Sequence, residues 1–577
     1  MANAIKKLNL DQTFHSFLAH KIGWLSPAAL ILAYLDWLMH LSYSPQKLLN
    51  TAEDDMQNFV KFIEYATKKS LGVKECATCI PVRTTDHRFQ NYLWNDKYPF
   101  NIYSQFFLLG EKMWDTLTTN VPGVTKHHER FVNFTTRQVL DMLSPSNFPW
   151  TNPEVIKTSH DQFGMNFIHG FSNFIEDYTR HINNQPPAGA EHFQVGKNIA
   201  ITPGKVVYRN QLIELIQYSP TTKTVYAEPI LIVPAWIMKY YILDLSDHNS
   251  LVKYLIDRGH TVFMISWKNP TSVDRDLSLE NYVNLGVMDS LTAINNIIPK
   301  QKIHAVGYCI GGTLLMIAAA SMADASDERL KTITLFATQV DFKEAGELLL
   351  FIDESQVTYL EDIMAEKGYL DSARMSGAFS MLNSVDLIWS KYVQDYLLGK
   401  RRPLNDLMAW DMDTTRLPYK MHSEYLRKLF LNNELVEGHF SVGGVNISLL
   451  DIDAPIFAVS TIRDHIAPWK SVYKLHDFTD TDITFILTNG GHNSGIVNEP
   501  GRPNHAYQMR IHKKTDKHIS PESWQEKAPN FDGSWWPEWE KWLSNSSTAS
   551  AKLPAMGNSK KGYKVLCNAP GTYVFQK

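Results

Sequence analysis

Of the four cysteines in this 577-residue chain, one stands where a thiol can do chemistry. Lys302 to Ala320 reads KIHAVGYCIGGTLLMIAAA, an apolar strand that runs through Gly307-Tyr308-Cys309-Ile310-Gly311 into a helix of small residues. Glycines on either side of Cys309 suit a chain that turns from strand to helix at one residue, because a Cβ beside so sharp a bend has no room. The turn lifts the Cys309 sulfur clear of the sheet. It also sets the Ile310 N–H, at the positive end of the helix, where an oxyanion would form. Taken alone, the same turn could hold a buried, inert thiol. Two later stretches argue for reactivity. The strand-like run PIFAVSTI, Pro455 to Ile462, is followed by Arg463-Asp464-His465, and the run ITFILTN, Ile483 to Asn489, by Gly490-Gly491-His492. A thiol nucleophile needs an imidazole to take its proton and a carboxylate to orient that imidazole. Acyl transfer through Cys309, with His492 as base and Asp464 as its orienting acid, is the chemistry this spacing predicts. His465 stands beside the acid as a supporting residue.

The elements that must carry these side chains follow from the pattern around them. A nucleophile in G-x-C-x-G, followed by an acid and then a histidine, each just past a strand, is the order of the α/β-hydrolase fold with Cys in place of Ser. Short strands are predicted at Val206–Tyr208 and Leu212–Gln217, forming a hairpin. Buried runs follow at Pro229–Val233 and Thr261–Trp267, with helical patterns at Leu251–Asp257 and Asn281–Ile297. Alternating strands and helices imply a mostly parallel sheet covered on both faces. The loop Val233-Pro234-Ala235-Trp236-Ile237-Met238-Lys239 occupies the place of the second oxyanion donor, so the backbone N–H of Trp236 or Ile237 is assigned that role. From Asp341 to about Leu426 the alternation breaks into a helix-rich insertion, the position of a lid. Residues 1–185 read as a mainly helical N-terminal domain, Pro186-Pro187-Ala188-Gly189-Ala190 as the linker, and 186–577 as the catalytic domain.

A chain of this length needs two domains or more. Its net charge of −4 argues against bulk nucleic-acid binding, so an acidic substrate would need a local basic patch. Arg510-Ile511-His512-Lys513-Lys514 is such a stretch and reads first as a solvated surface. Few cysteines suit a reducing cytoplasm. Cys76 and Cys79 form a C-x-x-C with no second Cys/His pair at zinc spacing, so no metal is expected. The apolar stretch Trp24 to Met39 contains Asp36 and is too short to span a bilayer. It reads as a buried helix or an amphipathic adsorbing surface.

The runs GYCIGGTLL (307–315), SWKNP (266–270), IRDHIAPW (462–469) and GHNSGIVNEP (491–500) together resemble the polyhydroxyalkanoate synthases, closest to the single-subunit class I enzymes. The likeness runs from about Asp86 to the final APGTYV. It implies an α/β-hydrolase fold with a mobile lid, and an acyltransferase that polymerises (R)-3-hydroxyacyl-coenzyme A with release of coenzyme A. It also implies a Cys309–His492–Asp464 triad, no cofactor besides the coenzyme A thioester substrate, and a homodimer at the surface of a cytoplasmic polyester granule. The N-terminal region is linked in that family to dimerisation and granule association. Family members often carry a small or thiol residue at the place of Trp236, so the indole here implies a narrow acyl pocket and short monomers such as 3-hydroxybutyryl. Either His492 or Asp464 could activate the 3-hydroxyl during elongation. Two other readings stand beside it: a Cys-dependent ester or thioester hydrolase that uses the same triad and admits water, and a granule-associated binding protein on a degenerate hydrolase fold, against which the intact Cys309, Asp464 and His492 argue.

Overall fold

The computed structural model describes residues 10–23, 25–73, 76–82, 86–183, 185–371, 377, 380–548 and 550–577. Trp24, at the head of the apolar N-terminal stretch, lies outside them. The chain divides into two compact units. One comprises Met1–Trp24, His192–Arg374 and Asn405–Lys577, and the other Leu25–Glu191 and Met375–Leu404.

The first unit is built on an eleven-stranded mixed sheet. Its strands are β1 (Gly204–Arg209), β2 (Ile213–Tyr218), β3 (Ile230–Val233), β4 (Val262–Trp267), β5 (Ile303–Tyr308), β6 (Leu330–Phe336), β7 (Ile456–Thr461), β8 (Ile483–Thr488), β9 (Ala506–His512), β10 (Asn530–Asp532) and β11 (Cys567–Asn568). In space they run β10-β9-β8-β7-β6-β5-β3-β4-β2-β1-β11. The contiguous strands from β8 to β4 pair in parallel, and antiparallel strands close both edges. Every residue of β3, β4, β5, β7 and β8 is buried. That is why these strands are mostly apolar, without an in-and-out alternation, as a parallel sheet covered on two faces requires. Successive strands go from β3 to β4 on one side and then back to β5 on the other. The crevice at the carboxyl ends of β3 and β5 is therefore the topological switch point, where open α/β sheets place their chemistry. The loop after β3 and the turn after β5 both open there.

The basic stretch lies at the surface, as expected, and is part of a strand, while the helix-rich insertion is divided. The basic run Arg510–His512 is strand, the end of β9 paired with Ile483–Phe485, and Lys513 and Lys514 meet Asp482 and Asp480 beyond it. The helix-rich insertion is shared between the units: Met375–Leu404 belongs with the helical one and Asn405 onward with the sheet.

In the helical unit, Phe62, Phe89, Trp94, Leu108 and Leu109 form one buried cluster. The Arg88 guanidinium is buried among Asp86, Glu111 and Asp141, at 2.8 to 3.0 Å. The 375–404 segment is held to this unit by polar anchors: Asn166 Nδ2 donates to the Leu397 carbonyl at 2.7 Å, and Ser384 Oγ to Asp141 at 3.1 Å. The helix Pro27–Ser42 buries Ala33, Trp37 and Leu41 on one face and leaves Ile31, Leu35 and Leu38 exposed on another. No helix among the described residues is long and apolar enough to cross a membrane.

Candidate functional site

Cys309 joins β5 to the helix Ile310–Asp324 with φ 54° and ψ −128°, in the region that side-chain-bearing residues avoid. The turn is held on both sides. The Cys309 N–H donates to the Phe336 carbonyl at 2.8 Å, and its carbonyl accepts from the Gly312 N–H at 2.9 Å and from Thr338 Oγ1 at 3.1 Å. The neighbouring glycines are required by contact. A Cβ at Gly307 would run into the Gly312 backbone, and one at Gly311 into the carbonyl oxygens of Val233 and Pro234. The latter approach brings the loop after β3 against the start of the Cys309 helix. Cys309 itself is partly exposed. As the first helical residue, Ile310 carries an N–H with no intrahelical acceptor.

Asp464 and His492 come from the loops after β7 and β8, which are tied together by the Arg463 N–H donating to the Gly490 carbonyl at 3.0 Å. His492 Nδ1 lies 2.7 Å from Asp464 Oδ2. The other carboxylate oxygen accepts the N–H groups of Ile466 at 2.9 Å and Ala467 at 2.8 Å, and Thr461 Oγ1 adds a bond to Oδ2 at 3.2 Å. Burial works against the Asp464 charge, but His492 and these donors outweigh it and hold the carboxyl below its ordinary range. Burial likewise disfavours the His492 cation. The Asp464 charge, followed by Cys309, reverses that and holds the imidazole well above its ordinary value. His492 is thus hydrogen-bonded to Asp464, and both Asp464 and Cys309 favour its charged form. His465 is half-buried beside the pair, and burial pushes its imidazole down.

Trp236 is buried, with its ring 5.1 Å from Tyr282, 6.1 Å from Trp267 and 6.3 Å from Tyr425, as part of an aromatic wall. Trp267 fits there because Gly286 has no Cβ to meet its ring. The backbone of the Trp236–Lys239 loop is held by a distant stretch: Ile237 O accepts from the Thr415 N–H at 3.0 Å, and Trp236 O from Thr415 Oγ1.

Several residues at this site were not singled out by sequence reasoning. Tyr308 donates to Asn493 Oδ1 at 2.5 Å, with its ring 5.8 Å from that of His492. Trp535 and Trp536, both buried, donate their indole N–H groups to the Gly495 and Ile496 carbonyls at 3.0 and 3.1 Å and so brace the His492 loop. Both lie in the run Gly533-Ser534-Trp535-Trp536-Pro537-Glu538-Trp539, forty residues beyond the carbonyls they meet. Cys76 and Cys79 stay free, with Cys79 Sγ donating to Gln105 at 2.9 Å. Among the described residues, no group of three or more His, Cys, Asp or Glu is arranged to hold a metal ion.

Comparison with known proteins finds one group of relatives. Residues 85–255 match the model of the poly-beta-hydroxybutyrate polymerase (PhaC) N-terminus, residues 6–47 match a second poly-beta-hydroxybutyrate polymerase N-terminal model, and residues 228–499 match the alpha/beta hydrolase fold. A poly(3-hydroxyalkanoate) polymerase of Methylorubrum extorquens is 39% identical over 497 residues, 85% of this chain and 81% of the relative. The poly(3-hydroxyalkanoate) polymerase subunit PhaC of Rhizobium meliloti is 36% identical over 85% of this chain and 80% of the relative. That of Cupriavidus necator is 34% identical over 85% and 83%.

Proposed function

This chain belongs to the poly(3-hydroxyalkanoate) polymerases, a family of acyltransferases with an α/β-hydrolase fold, and on that premise we propose that it polymerises 3-hydroxyacyl-coenzyme A, chiefly 3-hydroxybutyryl-coenzyme A, through a thioester on Cys309. The observation that carries the reading is the 2.7 Å contact of His492 with Asp464, beside a strained Cys309 that favours the His492 charge.

In the acylation step the Cys309 sulfur attacks the thioester carbonyl carbon, and its proton goes to His492. The oxyanion is met by the Ile310 N–H, with the Trp236 or Ile237 N–H as second donor. The carbon–sulfur bond to coenzyme A breaks, and the leaving thiolate takes the proton from His492. One thioester replaces another, so the acyl group stays activated, which an oxyester on Ser would not achieve. In elongation a 3-hydroxyl attacks the acyl-Cys309 carbonyl, forming an ester and breaking the bond to Cys309. The hydroxyl proton passes to His492 and on to the Cys309 thiolate. We assign that proton to His492 over Asp464 because both Asp464 oxygens are already occupied, one by His492 and the other by two backbone N–H groups. The aromatic wall of Trp236, Trp267, Tyr282 and Tyr425 limits water, which would otherwise end the chain. Coenzyme A enters as part of the substrate, and the scheme needs no further cofactor. We extend the reading to a homodimer acting at the surface of its own polyester product.

The test is to give purified protein 3-hydroxybutyryl-coenzyme A and follow free thiol together with acyl product, for wild type and Cys309→Ala. Thiol release with insoluble polyester, both lost in the variant, is the expected result. Free 3-hydroxybutyrate as sole product would make water the acceptor and replace this reading with a hydrolase. Activity retained by Cys309→Ala would remove the covalent route.

A further inference from the structure

Lys239, at the end of the loop that carries Trp236 and Ile237, is buried with its ammonium pointed away from solvent. Its Nζ donates to the Gln576 carbonyl at 2.7 Å and lies 3.5 Å from the Tyr573 carbonyl. Its backbone is fixed as well: the Lys239 carbonyl accepts the Trp410 indole N–H at 2.7 Å, and its N–H reaches the Asp413 carbonyl at 3.4 Å. A buried ammonium is costly unless its donors are satisfied, and burial here lowers its proton affinity, to a value of about 8. Asp413 opposes that shift, while Lys577 and Arg416 add to it. The carbonyls it grips are themselves anchored. The fully buried Glu214 carboxylate accepts the N–H groups of Thr572 at 2.8 Å and Tyr573 at 3.0 Å, and Gln576 Oε1 accepts the Asn269 N–H at 2.9 Å.

We propose that Lys239 is a positioning residue for acyl transfer: its ammonium fastens the loop after β3 to the Tyr573–Gln576 segment, and so fixes the backbone donors of Trp236 and Ile237 against the acyl-Cys309 carbonyl. The proposal rests on the thioester route above. A loop free to drift would leave substrate binding nearly intact and weaken only what forms in the transition state. Misplacement of about 1 Å in such a group costs on the order of 100-fold in rate.

Lys239→Met keeps the stem and removes the donors. Expected is a fall of about 10- to 100-fold in kcat for thiol release, with KM within about threefold of wild type. Alkylation of Cys309 by iodoacetamide, which forms no oxyanion, should keep its wild-type rate. Wild-type kcat in the folded variant, or alkylation slowed in parallel with kcat, would overturn the proposal. If Lys239→Met does not fold, Trp410→Phe decides from the other side. It frees the Lys239 carbonyl and leaves the ammonium untouched, and it should lower kcat about three- to tenfold with alkylation unchanged. Wild-type kcat there would equally overturn the proposal. Failure of the thioester route itself is read separately, by thiol release persisting in Cys309→Ala.

Discussion

Replacing Asp464 by asparagine tests the site at its most constrained point. The amide has two orientations. With its oxygen toward Ile466 and Ala467, it keeps the two backbone bonds of 2.9 and 2.8 Å and turns its NH2 to His492 Nδ1. Nδ1 must then accept, so the imidazole proton sits on Nε2, facing Cys309, and His492 cannot take the thiol proton. The flipped amide restores the productive tautomer but sets its NH2 against two backbone N–H donors. Leaving those two donors unsatisfied costs about 1–3 kcal/mol each, or about 2–6 kcal/mol together. The productive form is then populated roughly 30-fold to 3 × 10⁴-fold less than in wild type. Loss of the counter-charge that holds the His492 proton affinity up adds to the deficit. Asp464→Asn should therefore lower single-turnover coenzyme A release at pH 7 by at least about 30-fold. The loop should stay folded, because the favoured orientation preserves its hydrogen bonds. A folded variant within about fivefold of wild type would show that His492 does not depend on Asp464 for its tautomer, and the assigned roles would fall with it.

Three further outcomes follow from particular contacts. Gly311→Ala puts a Cβ onto the backbone carbonyls of Val233 and Pro234, which cannot yield, so urea unfolding should show a loss of about 1–3 kcal/mol together with most thiol release; wild-type stability would contradict the packing account. Trp236→Ala opens the aromatic wall and should raise the kcat/KM ratio of 3-hydroxyhexanoyl- over 3-hydroxybutyryl-coenzyme A about tenfold, whereas an unchanged ratio would take Trp236 out of the acyl pocket. His422 is buried and its imidazole is held down to about 4, so between about pH 6.5 and that value the unfolded chain binds a proton that the folded chain does not. Stability should fall with pH through that window by up to about 1.4 kcal/mol per pH unit from this group, and His422→Phe, which keeps a ring against Tyr425, should remove that part of the slope; an unaltered slope would refute the assignment.

The parts of the site that could be read from sequence are those whose strain must be relieved by their immediate neighbours. Cys309 holds a positive φ, and the residues that permit it, Gly307 and Gly311, lie within two positions of it, so the pattern is written locally. The central strands were legible for a related reason. Burial on both faces forces mostly apolar runs, and the ends of β7 and β8 fall within a residue of where those runs stop. The antiparallel strand Ala506–His512 was not legible, because it is only partly buried and carries Arg510 and His512, which erases the apolar run and leaves a charge cluster to be read as surface.

What no local pattern could carry is the bracing between remote segments. Trp535 and Trp536 announce a buried aromatic run, but which carbonyls their indoles meet depends on a fold that brings Gly495 and Ile496 to them. The same holds for the 375–404 segment. Asn166 and Arg401 look like ordinary polar residues, yet Asn166 holds the Leu397 carbonyl and Arg401 pairs with Asp177, so part of an insertion that reads as a lid is built into the helical unit. Lys239 is the sharpest case. In sequence it is a lysine after an apolar loop, with solvent as its natural partner, and only the path of Tyr573–Gln576 turns it into a buried cation holding that loop. Chemistry that must be strained declares itself beside the strain, whereas the groups that hold the loop after β3 in place are supplied from wherever the chain passes. Substitution of Cys309 or His492 should therefore abolish turnover, Asp464→Asn should cut it by at least about 30-fold, and changes at Lys239, Trp410 or Trp535 should lower it by smaller steps.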